Sequence, residues 1–178
     1  EIALLASICE PSLGYITNYG KAHLEGFGGV EGIIKGKSEL YDYLRSAGGL
    51  AMVNLDDSIQ IAKSHDIDQF GFGLEKGFVR WSSQSTTEFA GVHIYCGADS
   101  YTIQSQLSGS CNELNIVAAA SLGHHFGVDA LDIKEGIEAY APKMNRVEWR
   151  DTNSNRVLLD AYNANPTSMK LSVESFAR

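Results

Sequence analysis

The sequence predicts an α/β fold: an open, mostly parallel sheet flanked by helices, with a small antiparallel side sheet and the start of a second α/β domain. Three observations predict it. Short apolar runs at Leu13-Gly-Tyr-Ile-Thr17, Leu50-Ala-Met-Val-Asn54 and Gln69 to Gly73 alternate with helical stretches, as strands buried on both faces do. From about Val79 to Leu107 the pattern changes to apolar–polar alternation in Val79-Arg-Trp-Ser, Val92-His-Ile-Tyr-Cys and Tyr101 to Leu107, which predicts exposed antiparallel strands. A polar stretch from Pro142 to Asn155 then reads as a linker before a fresh strand, Arg156-Val-Leu-Leu-Asp160. The division that follows places one domain at 1–150 and the beginning of another at 151–178.

The remaining elements follow in order. Glu1-Ile-Ala-Leu-Leu-Ala opens inside a helical apolar face without an initiator Met, and the chain stops at Phe176-Ala-Arg178, again in a helical pattern. Both ends therefore read as cut from a longer protein. After the first strand, the segment from Asn18 to Gly29 is rich in glycine. A helix follows from Val30 to Ser46 and is closed by Gly48-Gly49. Ser58 to Ser64 reads as a short helix, and Asn112 to Phe126 as a long one ended by Gly127, with Asn112 as its N-cap. The helix from Asp132 to Tyr140 starts on Asp132-x-x-Glu135, the form of a capping box. Pro166 suits the first position of a last helix.

The 178 residues carry 44% hydrophobic residues and a net charge of −8, enough apolar content for a packed core. A balance this acidic argues against nucleic acid or an anionic membrane as partner. No apolar run approaches the roughly 20 residues that cross a bilayer. Cys9, Cys96 and Cys111 are odd in number and lack metal-ligand spacing, which fits reduced thiols and a cytoplasmic location.

Lys37 is the most informative residue. Val30, Ile33, Ile34, Tyr41 and Leu44 fall on one stripe of their helix, and Lys37 sits in the middle of it. A buried ammonium must meet an anion or lose its charge; alternatively its stem packs while its head reaches solvent. Gly32 to Ser38 is not a phosphate-binding P-loop, because only three residues separate Gly32 from Gly36 and the helix is already under way. His23 follows a buried strand, at the end of a parallel sheet where ligands bind, although a lone loop histidine is more often incidental. Histidines 65, 93, 124 and 125 have a structural reading. Asp56 and Asp57 could bind a metal or cap the next helix, and capping fits the local pattern better. Asn115 could offer an amide to a purine edge. Asp160-Ala-Tyr162-Asn163-Ala-Asn165-Pro166 gathers a carboxylate, a phenol and two amides between a strand and a helix start, where a nucleotide or a plain Asn-Pro turn would fit equally well.

Taken together, Ile16-Thr-Asn-Tyr-Gly-Lys-Ala-His-Leu-Glu-Gly-Phe-Gly28, Lys37-Ser-Glu39 and Asp160 to Met169 resemble the Mur ligase family of ATP-dependent peptidoglycan ligases. Within it they resemble the members that add D-alanyl-D-alanine to UDP-N-acetylmuramoyl-tripeptide, which share Ala22 before His23. The resemblance implies that Lys37 is carbamylated and binds Mg²⁺ together with His23. It implies that Asn112 and Asn115 contact the adenine of ATP, that Arg146 lies near the nucleotide, and that Asp160, Tyr162, Asn163 and Asn165 begin a domain closing over ATP. It also implies that a glycine-rich ATP loop, a metal-binding glutamate and a UDP-sugar domain lie upstream of Glu1, so that the 178 residues alone would be inactive. The implied reaction passes through an acyl phosphate. A folylpolyglutamate-synthase-type ligase and a non-catalytic nucleotide-binding piece are the competing readings.

Overall fold

The computed structural model describes residues 1–20, 28–109, 111–142 and 148–160, with Met169, Lys170, Val173 and Phe176 besides; of Cys111, Glu148 and Trp149 the backbone alone is described. These residues fall into two compact units, Glu1–Arg80 and Trp81–Arg178.

The first unit runs α1 (Ile2–Cys9), β1 (Leu13–Tyr15), α2 (Val30–Ala47), β2 (Leu50–Asn54), α3 (Ser58–Ser64), β3 (Asp68–Gly73) and the start of β4 (Val79–Ser83). Strands β1, β2, β3 and β4 pair in parallel. Ala51, Met52 and Val53 of β2 are fully buried, as an unbroken apolar run in the middle of a parallel sheet should be. Helix α2 covers this sheet through Ile33, Tyr41 and Leu44, all without exposed surface, Ile33 and Leu44 each contributing about 1.5–3 kcal/mol by burial. Tyr41 and Leu44 pack with Ile16, Tyr19, Ala51, Val53 and Ile67. A β carbon on Gly14 would stand 2.8 Å from Leu44 Cδ1 and 3.1 Å from Leu40 Cδ2, so a larger residue at position 14 would force these side chains to shift. Gly48 ends α2 with φ 65°, a left-handed cap that glycine adopts without strain. Val30, expected on the buried stripe, is 42% exposed, because it stands at the first position of the helix, beyond the sheet.

The second unit contains the rest of β4, β5 (Phe89–Cys96), β6 (Asp99–Ser108), α4 (Cys111–His125), α5 (Ala130–Glu138), β7 (Glu148–Asp151) and β8 (Arg156–Leu159). Strands β5 and β6 form an antiparallel hairpin closed at Gly97, φ 58°, and α4 and α5 pack on it.

Four expectations need correction. The strands from Val79 to Leu107 make no separate side sheet: the strand order is β1-β2-β3-β4-β5-β6 in one sheet, and Val79, Trp81, Val92, Ile94 and Ile103 are buried. Alternation identified the strands but not the sheet they join. The small antiparallel sheet is instead β7 with β8. This pair crosses the stretch assigned to a linker, with Thr152 and Asn155 bonded across its turn. Helix α5 begins at Ala130 after Asp129, so Asp132 lies inside the helix rather than capping it. Helix α4 begins at Cys111, so Asn112 is likewise within the first turn.

Candidate functional site

Lys37 occupies the turn of α2 between Ile33 and Tyr41, and it is half-buried. Its Nζ donates to the carbonyl of Asn18 at 2.6 Å, just past the carboxyl end of β1. That carbonyl is presented by a local turn in which the Asn18 side chain accepts from Gly20 N–H at 2.8 Å, the ordinary behaviour of an asparagine in a turn. Among the described residues no carboxylate pairs with Lys37. Burial alone holds its amine below the usual lysine range, since a desolvated ammonium without a counter-ion is disfavoured. Helix α2 runs unbroken from Val30 to Ala47, which confirms that Gly32 to Ser38 forms no phosphate loop.

The residues beside Lys37 are committed elsewhere. Glu39 accepts from Ala3 N–H at 2.7 Å, and that bond holds its carboxyl below the usual range. Ser38 Oγ meets Tyr19 Oη at 3.1 Å, with Ser38 and Tyr19 7% and 8% exposed. An open groove of about 480 Å³ runs along α2 and α3 past Glu31, Lys35, Arg45 and Lys63, and Lys37 does not line it. Asp57 caps α3, accepting from Ile59 N–H at 2.9 Å and Gln60 N–H at 3.2 Å. Asp56 accepts from Leu74 N–H at 2.9 Å. The two aspartates thus have structural duties, as capping chemistry predicted.

In the second unit, Asn112 Nδ2 donates to the Ser108 carbonyl at 2.8 Å, and Asn112 Oδ1 accepts from Asn115 Nδ2 at 3.0 Å. A carbonyl can only accept, so the Ser108 bond determines which way the Asn112 amide faces. That in turn orients Asn115 with its Nδ2 inward, leaving Oδ1 of this exposed residue as the outward group. Between them Glu113 is buried and accepts from both Ser83 Oγ and Ser85 Oγ at 2.5 Å. Asp160 is half-buried directly after β8. His23, Arg146, Tyr162, Asn163 and Asn165 lie outside the described residues.

The sequence reading singled out Lys37, Asn112 and Asn115 but passed over Tyr19, Ser38 and Glu113. No local pattern marks these three: each bond joins residues 19 to 30 positions apart, and only the fold brings them together. Histidines 65, 93 and 124 have structural partners, as expected. His93 lies between the hydroxyls of Thr102 and Ser100, and His124 Nε2 is 2.9 Å from Tyr101 Oη.

Helix α2 thus sets a half-buried lysine, without a carboxylate partner among the described residues, beside the carboxyl end of β1, the end of a parallel α/β sheet at which ligands generally bind. Residues 1–123 match the Mur ligase middle domain, and the chain belongs to that family. The UDP-N-acetylmuramoyl-tripeptide–D-alanyl-D-alanine ligase of Bacillus subtilis is 30% identical over 175 residues, 98% of this chain and 38% of that protein. MurF from Acinetobacter baumannii has a similar fold, with a TM-score of 0.87 and 28% identity, over 99% of this chain and 40% of that one. MurF ligase from Thermotoga maritima, solved in complex with ADP, has the same fold at a TM-score of 0.81 and 24% identity, over 99% of this chain and 42% of its own. The chain thus spans well under half the length of the relatives it matches.

Proposed function

We propose that this chain forms part of an ATP-dependent ligase that joins D-alanyl-D-alanine to UDP-N-acetylmuramoyl-tripeptide in the cytoplasm. On this reading residues 1–150 belong to the central ATP-binding domain and 151–178 begin the C-terminal ligase domain. The observation that carries the proposal is Lys37: a half-buried amine on a neutral carbonyl, with no described carboxylate beside it. Similarity to the B. subtilis ligase along nearly the whole chain supports the acceptor and donor substrates.

The surroundings of Lys37 fit a carbamate. The neutral amine attacks carbon dioxide, an N–C bond forms, one C=O electron pair moves onto oxygen, and one amine proton passes to water. One N–H remains and can still donate to the Asn18 carbonyl, while the new carboxylate supplies the negative charge that a hard divalent cation requires. Lys37 and His23 would hold Mg²⁺, which, when bound, neutralises charge as the anionic reactants approach.

The chain's other residues orient and enclose. Asn115 presents an acceptor suited to the exocyclic amine of adenine, and Asn112 keeps it facing outward. Arg146 places the nucleotide, and Asp160, Tyr162, Asn163 and Asn165 form the closing segment that excludes water. The acceptor carboxylate attacks the γ-phosphorus of ATP, giving an acyl phosphate and ADP. The amine of D-alanyl-D-alanine then attacks the acyl carbon, and phosphate leaves as the amide forms. Holding the reactants in line accounts for much of the catalysis.

The test is phosphate release by the whole protein in which these residues lie, with UDP-N-acetylmuramoyl-tripeptide and ATP. Release should require D-alanyl-D-alanine, and Lys37→Met should lower it by about 100-fold or more, as loss of a principal electrostatic group does. Release supported by glutamate and a folate acceptor instead, or unchanged by Lys37→Met, would overturn the proposal.

A further inference from the structure

We infer that Tyr19 and Ser38 are positioning residues for Lys37: their hydroxyl pair and the Lys37–Asn18 bond form a two-point clasp between the end of β1 and helix α2. Residues 18 and 19 bond residues 37 and 38 in order, Asn18 O to Lys37 Nζ at 2.6 Å and Tyr19 Oη to Ser38 Oγ at 3.1 Å. The two bonds differ in kind. The lysine bond lies at the exposed edge, whereas the hydroxyl pair is shut inside, with Tyr19 packed against Tyr41 and Leu44.

A long lysine side chain loses considerable rotamer freedom when held in one place, and a single bond at the exposed edge is a weak restraint against that loss. The buried pair supplies the missing rigidity. Two hydroxyls withdrawn from water satisfy each other, and separating them would leave both unpaired. Residue 19 therefore cannot drift from α2, and the carbonyl of residue 18, one peptide away, stays on the amine. The geometry also gives the clasp a chemical consequence. An amine held on a carbonyl reacts from one side only, and the N–H retained after carbamylation keeps the new carboxylate turned away from Asn18. This inference deepens the reading of Lys37 as a carbamate and rests on it for that consequence, while the clasp itself stands on geometry.

The experiment uses the full chain in ¹³C-bicarbonate, comparing wild type with Tyr19→Phe, Ser38→Ala, the double variant and Ser38→Thr. Carbamate occupancy at Lys37 is read by ¹³C NMR, with Lys37→Met as the blank. In parallel, acetylation of Lys37 by a soluble active ester is measured by mass spectrometry against Lys35, which is exposed on the same helix. Loss of the hydroxyl pair should cut carbamate occupancy and raise the Lys37-to-Lys35 acetylation ratio, each about five-fold, the ratio that one intramolecular hydrogen bond is worth. The double variant should match the single ones, and Ser38→Thr should restore wild-type values. Unchanged occupancy and ratio in Tyr19→Phe and Ser38→Ala would overturn the clasp, as would equal acceleration at every lysine with a lowered melting temperature. A wild type without carbamate would refute the proposed role of Lys37 alone, and the acetylation ratio would still decide the clasp.

Discussion

Glu113 in the second unit and Lys37 in the first are both withdrawn from water, and the two charges are treated in opposite ways. Glu113 in the second unit is 9% exposed and accepts two serine hydroxyls, so its negative charge is met by donors and it is locked. Lys37 in the first unit is half-buried and, among the described residues, meets a neutral carbonyl and no carboxylate, so within them its positive charge is tolerated rather than matched. A satisfied buried charge organises structure, whereas an under-satisfied one is chemically available. The contrast separates two kinds of charged residue that look alike in a composition count.

The sharpest way to break this comparison is to remove each charge and measure stability. Glu113→Ala strands two hydroxyls, one of them half-buried, and should cost about 1–3 kcal/mol in urea unfolding. Lys37→Met keeps the packed stem, deletes a charge with no counter-ion among the described residues, and should stay within about 0.5 kcal/mol of wild type. Equal losses would show that Lys37 is as structural as Glu113.

A smaller effect tests whether the Glu113 region is a fixed platform. If Asn112 holds the Asn115 acceptor outward, Asn115→Ala should weaken ATP binding about five-fold, one hydrogen bond's worth. Asn112→Ala should weaken it less but erase the preference for ATP over ITP, because Asn115 could then turn either end of its amide to the base. Titration calorimetry with both nucleotides reads this directly. A preserved preference in Asn112→Ala would show that Asn115 needs no such support.

The smallest effect concerns alkali, where the two units should behave alike. Burial first, with the carboxylate of Asp57 adding to it, pushes Tyr15 up to about 12. Burial first, with Cys96 and Asp99 adding, does the same to Tyr101. A phenol with a raised value ionises earlier in the unfolded chain. Its contribution to stability is therefore complete below pH 10.0, the ordinary tyrosine value, and is lost as the pH climbs toward 12. Phenolate absorbance followed alongside unfolding should show Tyr15→Phe and Tyr101→Phe each removing part of this alkaline loss. If only one did so, the contrast between the units would extend beyond their charges.

How much was legible in the sequence depended on whether the cause was local. Strand β2 and helix α3 match their expected bounds, Leu50–Asn54 and Ser58–Ser64. An unbroken apolar run, a glycine pair before it and an aspartate cap after it all act within a few residues. The amphipathic stripe of α2 also marked Lys37 as anomalous. Its partner could not be read, since the Asn18 bond uses a backbone carbonyl, a group every residue possesses. The Asn112 amide reads as a cap for a similar reason: its actual acceptor, Ser108 O, comes within reach only when β6 turns into α4. Which sheet β5 and β6 would join was equally hidden, because alternation reports which face of a strand is buried and nothing about its neighbours.

The missing β carbon at Gly14 has a reach beyond its own contact. Leu44 Cδ1 rests 2.8 Å from where that atom would be, and Lys37 stands two turns away on the same stiff rod, about 10 Å at the usual helical rise. A larger residue at position 14 would first displace the Leu44 and Leu40 side chains by which that rod is seated. A residue with no side chain thereby makes room for the leucines that seat the helix carrying Lys37.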